Sequence, residues 1–170
     1  MLWVQPDPMA ERKLTFTKPA GAFSFDLGGV LSGGDVHNQE FFAEVKNYKE
    51  AHDQPDLYRK FLAKCYRAYG LRPERCDNFM WITWAPFSVT EWSKLDSPEK
   101  VERCVRENWE FNFSSNADAV AADLDVRAVQ AVASRIWILV LSDKQINHLS
   151  MSDEYLSIIA KHEAMEEAKR

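Results

Sequence analysis

The sequence predicts an α/β domain with a mixed sheet, and three observations predict it. Short alternating segments of β-formers, separated by glycine turns, fill residues 13–48. Apolar residues then recur at helical spacing from Leu57 to Tyr69. Two apolar runs, residues 78–84 and 135–141, follow with helix-start signals between them. Strands, a helix, a strand, helices, a strand and a final helix is the order of an α/β chain.

The elements follow in sequence. Pro6, Asp7 and Pro8 punctuate the start, and a brief helix fits Met9 to Lys13. Lys13-Leu14-Thr15-Phe16-Thr17 alternates and stops before Pro19, which suits a strand. Residues 22–31 form a second strand interrupted by Gly28-Gly29, which suit a bulge. Ser32-Gly33-Gly34-Asp35 is a hairpin signal, and residues 40–48 form a third strand. Residues 13–48 therefore read as a three-strand antiparallel meander. Asp53 is positioned as an N-cap with Pro55 in the first turn. Leu57, Tyr58, Phe61, Leu62, Cys65, Tyr66 and Tyr69 then line one helix, which Gly70 ends. Residues 78–84 form a strand broken at Pro86, with Trp81 and Trp84 as core residues rather than a base-stacking platform. Ser88 or Thr90 caps a short helix, and Ser97-Pro98 starts a clearer one. Residues 125–133 form a helix, residues 135–141 a buried strand beside the tryptophan strand, and Asp153 opens a last amphipathic helix with Tyr155, Ile158 and Ile159 on its apolar side.

Composition narrows the function classes. The 170 residues suffice for one domain with a sizeable core, and 12% aromatic content argues against disorder. A net charge of −5 excludes a globally basic nucleic-acid binder, though not a local basic face. Such a face is predicted on the helix after Asp53, where Arg59, Lys60, Lys64, Arg67, Arg72 and Arg75 are offset only by Glu74 after Tyr58. Cys65, Cys76 and Cys104 have no CxxC spacing, so reduced thiols in a cytoplasmic protein are expected. The start lacks a positive n-region and an apolar h-region, so no signal peptide is expected, and no run is long enough to span a membrane.

The chemistry concentrates in residues 23–58. Asp26 closes the alternating segment Phe23-Ser24-Phe25-Asp26. Glu44 and Lys46, two apart in a strand, share one face. A hard divalent cation such as Mg²⁺ (or Mn²⁺) takes oxygen ligands and usually one or two carboxylates, with water and substrate phosphate completing its shell. Asp26 and Glu44 can supply the carboxylates and Val45 a backbone carbonyl. Lys46 can then orient an attacking water or stabilise charge on a phosphate. A solvated Glu–Lys pair with Asp26 as a turn residue uses the same letters, because a bare E-x-K is common. Asp35 is an alternative acid but sits in the hairpin turn. His37 lies nearby, whereas His52, His148 and His162 lack ligand spacing. No G-x-S-x-G, G-K-[ST] or G-x-G-x-x-G pattern occurs.

Asp26 together with Glu44-Val45-Lys46 resembles the PD-(D/E)XK, or restriction-endonuclease-like, nucleases, whose signature is an aspartate on one strand of a hairpin and E-x-K on the next. Gln54-Pro55-Asp56-Leu57-Tyr58 is similar to the Q-x-x-x-Y motif of members related to helicase-linked exonucleases. The resemblance covers residues 13–85; the remainder, 86–170, matches no part of that pattern. It implies a restriction-endonuclease-like core and Mg²⁺-dependent hydrolysis of DNA. Asp26, Glu44 and Val45 would be metal ligands, Lys46 would position the nucleophilic water, and Gln54 and Tyr58 would support the site. Arg59, Lys60, Lys64 and Arg67 are then expected on the DNA backbone, within a homodimer or a larger multidomain assembly. One alternative is a nuclease fold that only binds nucleic acid or a protein; another is an interaction protein using its aromatic surface and acidic C-terminal helix, in which case Trp81 or Trp92 should be exposed.

Overall fold

The computed structural model describes residues 2–5, 7–46, 53–114, 123–142, 144 and 145. Positions 47 and 48 of the third predicted strand, His52, His148, His162 and the helix from Asp153 lie outside the described residues. The chain divides into two units, Met1–Val140 and Leu141–Arg170. All the elements below belong to the first.

Five strands form the main sheet: β1 (Leu2–Val4), β4 (Leu27–Val30), β5 (Glu40–Lys46), β6 (Asn78–Thr83) and β7 (Ile136–Val140), in that spatial order. β1, β4 and β5 are antiparallel to one another in turn, whereas β5, β6 and β7 run parallel. The protein is thus α/β with a mixed sheet. Parallel neighbours need crossovers. Between β5 and β6 the crossover contains α2 (Gln54–Leu71); between β6 and β7 it contains α3 (Pro98–Glu107) and α4 (Val126–Ala133). α2 packs against both α3 and α4.

Local chemistry accounts for the helix starts. Asp7 caps α1 (Pro8–Leu14) by accepting from the N–H groups of Met9 (2.7 Å) and Ala10 (2.9 Å). Ser97 accepts from Lys100 N–H at 3.2 Å, and Asp125 from Arg127 N–H at 2.8 Å. Asp53 holds the cap position of α2 but its carboxylate makes no cap hydrogen bond; only its carbonyl accepts, from Leu57 N–H at 3.1 Å.

The predicted meander is corrected. β2 (Thr15–Lys18) and β3 (Gly21–Ser24) make a separate two-stranded ribbon, and the second predicted strand is two strands in different sheets. The cause is where the phenylalanines must go. Phe16, Phe23 and Phe25 are buried together with Phe42 of β5, with ring centroids of Phe16 and Phe42 5.1 Å apart. Folding the ribbon over the sheet buries all four rings; extending the sheet in its plane would leave them wet. At Phe25–Asp26 the chain crosses from ribbon to sheet, with Phe25 N–H on Leu14 carbonyl (3.1 Å) and Asp26 N–H on Ala43 carbonyl (3.0 Å). Three-residue β1 has no sequence signal of its own.

Gly28 is no bulge. It pairs in register with Phe42, and a Cβ there would meet the Phe41 carbonyl oxygen at 2.7 Å and Leu14 Cδ2 at 2.8 Å. Gly28→Ala is therefore expected to destabilise by about 1–3 kcal/mol through overpacking. Urea unfolding checks this. The turn glycines differ, since Gly33 and Gly34 adopt φ of 97° and 57° in the β4–β5 loop.

The core lies between the sheet and α2. Its centre is Trp81 of β6, fully buried, with Tyr58, Phe61 and Phe87 rings at 5.3, 5.4 and 5.8 Å. Trp81 is a core residue, as its strand pattern predicts. No helix among the described residues is long and apolar enough to cross a membrane.

Candidate functional site

Alternation along β5 positions the site. Phe42 points into the core, so Glu44 and Lys46 emerge on that same face, where α2 runs. Asp26 reaches them from the crossing between β3 and β4, just before β4 begins. Its N–H and carbonyl hold Ala43 and Gln5, and its side chain continues the ladder where β4 has ended. Asp26 Oδ2 accepts from Val45 N–H at 2.8 Å, replacing the backbone acceptor that was lost when the chain left for the ribbon. In an extended strand a residue's N–H and C=O point to the same side. The Val45 carbonyl therefore faces the Asp26 edge, past the last paired residue of β4.

Four charges meet here. Lys46 Nζ lies 2.7 Å from Glu44 Oε2 and 3.3 Å from Asp26 Oδ2. Lys64 Nζ, from α2, lies 2.5 Å from the other Glu44 oxygen and 3.4 Å from the Ser24 carbonyl. The Glu44 side chain is 5% exposed and that of Asp26 45%. Burial pulls the Lys46 ammonium down, but the hydrogen bond and charge of Glu44, followed by those of Asp26, outweigh it and raise its pKa above the ordinary 10.5. Lys46 is consequently a fixed cation at neutral pH: it can donate to water or phosphate, and it cannot act as a base.

The donor chemistry fits a hard divalent cation. Two carboxylates, one from β5 and one from the crossing just before β4, converge on one ammonium, so the site already gathers positive charge at that point, and the Val45 carbonyl edge adjoins it. Among the described residues no three His, Cys, Asp or Glu side chains gather in one place. A metal would thus take at most two carboxylates from the protein here, the number common for Mg²⁺.

The other predicted site residues fall elsewhere. Gln54 is fully buried; its amide donates to the Ala85 carbonyl at 3.2 Å and accepts from Thr83 Oγ1 at 2.8 Å. Thr83 is the register partner of Lys46, so Gln54 ties α2 to the sheet end beside the site. Tyr58 is also buried, donating to the Leu95 carbonyl at 2.9 Å. Both side chains use their polar atoms on the protein itself. Asp35 is exposed in the turn, and His37 Nδ1 accepts from Gly33 N–H at 3.1 Å.

The predicted basic face divides. At 3.6 residues per turn, Lys60, Lys64 and Arg67 share one stripe of α2 and Arg59 points away from it. Arg59 pairs with Asp56 and with Glu107 of α3, Arg67 donates to the Thr17 carbonyl at 3.0 Å, and Lys60 is exposed. Arg75 is bound to Glu40 at 2.9 Å, and the Arg72 guanidinium lies over Phe16. Lys64 is the residue whose place the sequence reading missed. Its signal was there: Glu44 shares the parity of core residue Phe42, so it must face α2.

The three thiols are buried. Burial pushes Cys76 up to about 12 and Cys104 up to about 11, and raises Cys65 as well. Native protein at about pH 8 should leave all three unreacted with a thiol reagent, and unfolded protein should lose all three. The sign for stability follows. The folded thiols keep protons that the unfolded chain releases above the ordinary 9.0, so stability is intact below that pH and falls as pH rises toward 12. Lys46, also raised, acts in the same direction above 10.5. Unfolding midpoints measured across alkaline pH read this out.

Comparison of the chain with family models, curated proteins and solved structures gives no match.

Proposed function

We propose that the protein is a metal-dependent nuclease that hydrolyses DNA phosphodiester bonds, with a restriction-endonuclease-like core. The observation that carries this reading is the convergence of Asp26 and Glu44 on the Lys46 ammonium, with Asp26 also bound to the Val45 N–H. In this reading Asp26, Glu44 and the Val45 carbonyl hold Mg²⁺ or Mn²⁺. Such an ion, when bound, stabilises charge on a phosphate and lowers the pKa of its water.

The chain's own residues do the remainder. Lys46, held protonated, donates a hydrogen bond to the attacking water oxygen or to a non-bridging phosphate oxygen, where negative charge develops. Water oxygen bonds to phosphorus and gives up a proton to solvent, the ester P–O bond breaks, and the leaving oxygen takes up a proton from solvent. Lys60, exposed one turn from Lys64, meets the DNA backbone in this reading, which gives affinity and salt dependence without sequence information. Gln54 and Tyr58 act as positioning residues that fix α2 against the sheet.

Exposed Trp92, at 43%, favours a second reading, an interaction module built on the same fold, whereas buried Trp81 does not. Incubation of linear, circular and single-stranded DNA with Mg²⁺ or Mn²⁺, and with chelator, separates the two. A nuclease cuts only with metal, and cutting of circles distinguishes internal from end-dependent action. An interaction module leaves every substrate intact.

A further inference from the structure

We propose that Lys64 is a counter-ion gate: it occupies Glu44 in the free protein and yields it to the metal when a substrate phosphate arrives. This rests on the reading of Asp26 and Glu44 as metal ligands. Both Glu44 oxygens are taken by ammonium groups, Lys46 at 2.7 Å and Lys64 at 2.5 Å. With Asp26, the four groups carry two negative and two positive charges. A divalent cation entering this cluster would leave it with a net charge of two in a partly buried place, where repulsion is poorly screened.

The two lysines are not equivalent. Lys46 stands between Asp26 and Glu44, so it keeps an acidic partner if Glu44 turns to the metal. Among the described residues, Lys64 has besides Glu44 the Ser24 carbonyl at 3.4 Å and the Phe23 ring, its centroid 6.0 Å away, neither of them acidic, and its side chain is 20% exposed. It comes from α2 rather than from the strand of the ligands, on the stripe it shares with exposed Lys60. A phosphate approaching along that stripe gives the Lys64 ammonium a new partner and supplies the negative charge that the metal needs. Metal and phosphate then raise each other's affinity by the same factor.

Mn²⁺ binding, followed by electron paramagnetic resonance and calorimetry without DNA, tests this in wild type, Lys64→Met, Lys64→Gln and Glu44→Gln. The expected result is weak binding by wild type, binding tighter by about tenfold in both Lys64 variants, and none in Glu44→Gln. A short duplex should tighten Mn²⁺ binding in wild type and do so less in the Lys64 variants. Mn²⁺ affinity in the Lys64 variants equal to or below that of wild type, with Glu44→Gln inert, overturns the gate and leaves the metal reading standing. Absence of Mn²⁺ binding in every protein, with and without duplex, overturns both. Circular dichroism identifies any variant that fails to fold, and either Lys64 variant alone decides the matter.

Discussion

In the proposed nuclease, Glu44→Gln should abolish metal-dependent DNA cleavage, lowering the rate at least about 100-fold, while the protein remains folded. Glu44 is the most buried of the four charged groups and the one that touches both lysines. The amide keeps the shape but offers a metal one neutral oxygen in place of a carboxylate, and it leaves one ammonium without its acceptor. Breaking a fully buried pair costs about 3–5 kcal/mol, but Lys46 and Lys64 are 17% and 20% exposed and can turn to water. A stability loss of about 1–3 kcal/mol is therefore expected. Chemical unfolding and single-turnover cleavage, measured on the same preparation, separate the two effects. Loss of activity far exceeding the unfolded fraction assigns Glu44 to the chemistry.

Trp81→Ala should produce the largest loss of stability of any single core change, about 3–5 kcal/mol. The indole is wholly buried, three aromatic rings surround it, and it is the register partner of Glu44 on the next strand. The Lys46 ammonium also lies 5.8 Å from its ring centroid. Removing the ring thus opens a cavity directly beneath the site. Thermal and urea unfolding measure the loss, and the variant that still folds at low temperature should show reduced cleavage because Lys46 has lost its floor. Trp92→Ala, in contrast, removes a ring that is 43% exposed and meets Phe87 edge-on at 6.3 Å, and should cost about 1 kcal/mol, well below Trp81→Ala.

Much of this arrangement is legible in the letters, and the remainder is not for physical reasons. β5, α2 and β6 follow from period: Phe42 with Glu44 and Lys46 at two-residue spacing, Phe61 with Cys65 at four, then the apolar run ending at Pro86. The end of the ribbon is not legible. Phe23 and Phe25 keep the strand's alternation up to Asp26, and Leu27 begins another strand at once. Only the three-dimensional packing of Phe16, Phe25 and Phe42 reveals that the sheet has changed. Gly28 gives the letter of a bulge, yet it is required by the close approach of Leu14 and the Phe41 carbonyl, a long-range contact.

The site shows the same division. That Glu44 and Lys46 share a face was readable from spacing; that Asp26 sits at the crossing just before β4 rather than within a strand was not. That Lys64 completes the cluster required relating strand parity to a helix stripe. Gln54 and Tyr58 are placed by their spacing on α2, but spacing does not reveal that their polar atoms are spent on Thr83, Ala85 and Leu95. The basic residues illustrate the limit most clearly. Counting charge along α2 suggests one face, whereas Arg59, Lys64, Arg67 and Arg75 each find a different partner within the fold.

The decisive measurement is cleavage of DNA by wild type, Asp26→Asn and Lys46→Ala in Mg²⁺ and Mn²⁺, with folding confirmed by circular dichroism. Cutting by wild type that requires metal, and that disappears in both folded variants, is the predicted result. Cutting that persists in both variants, or its absence in wild type with either metal on every form of DNA, contradicts a nuclease built on Asp26, Glu44 and Lys46.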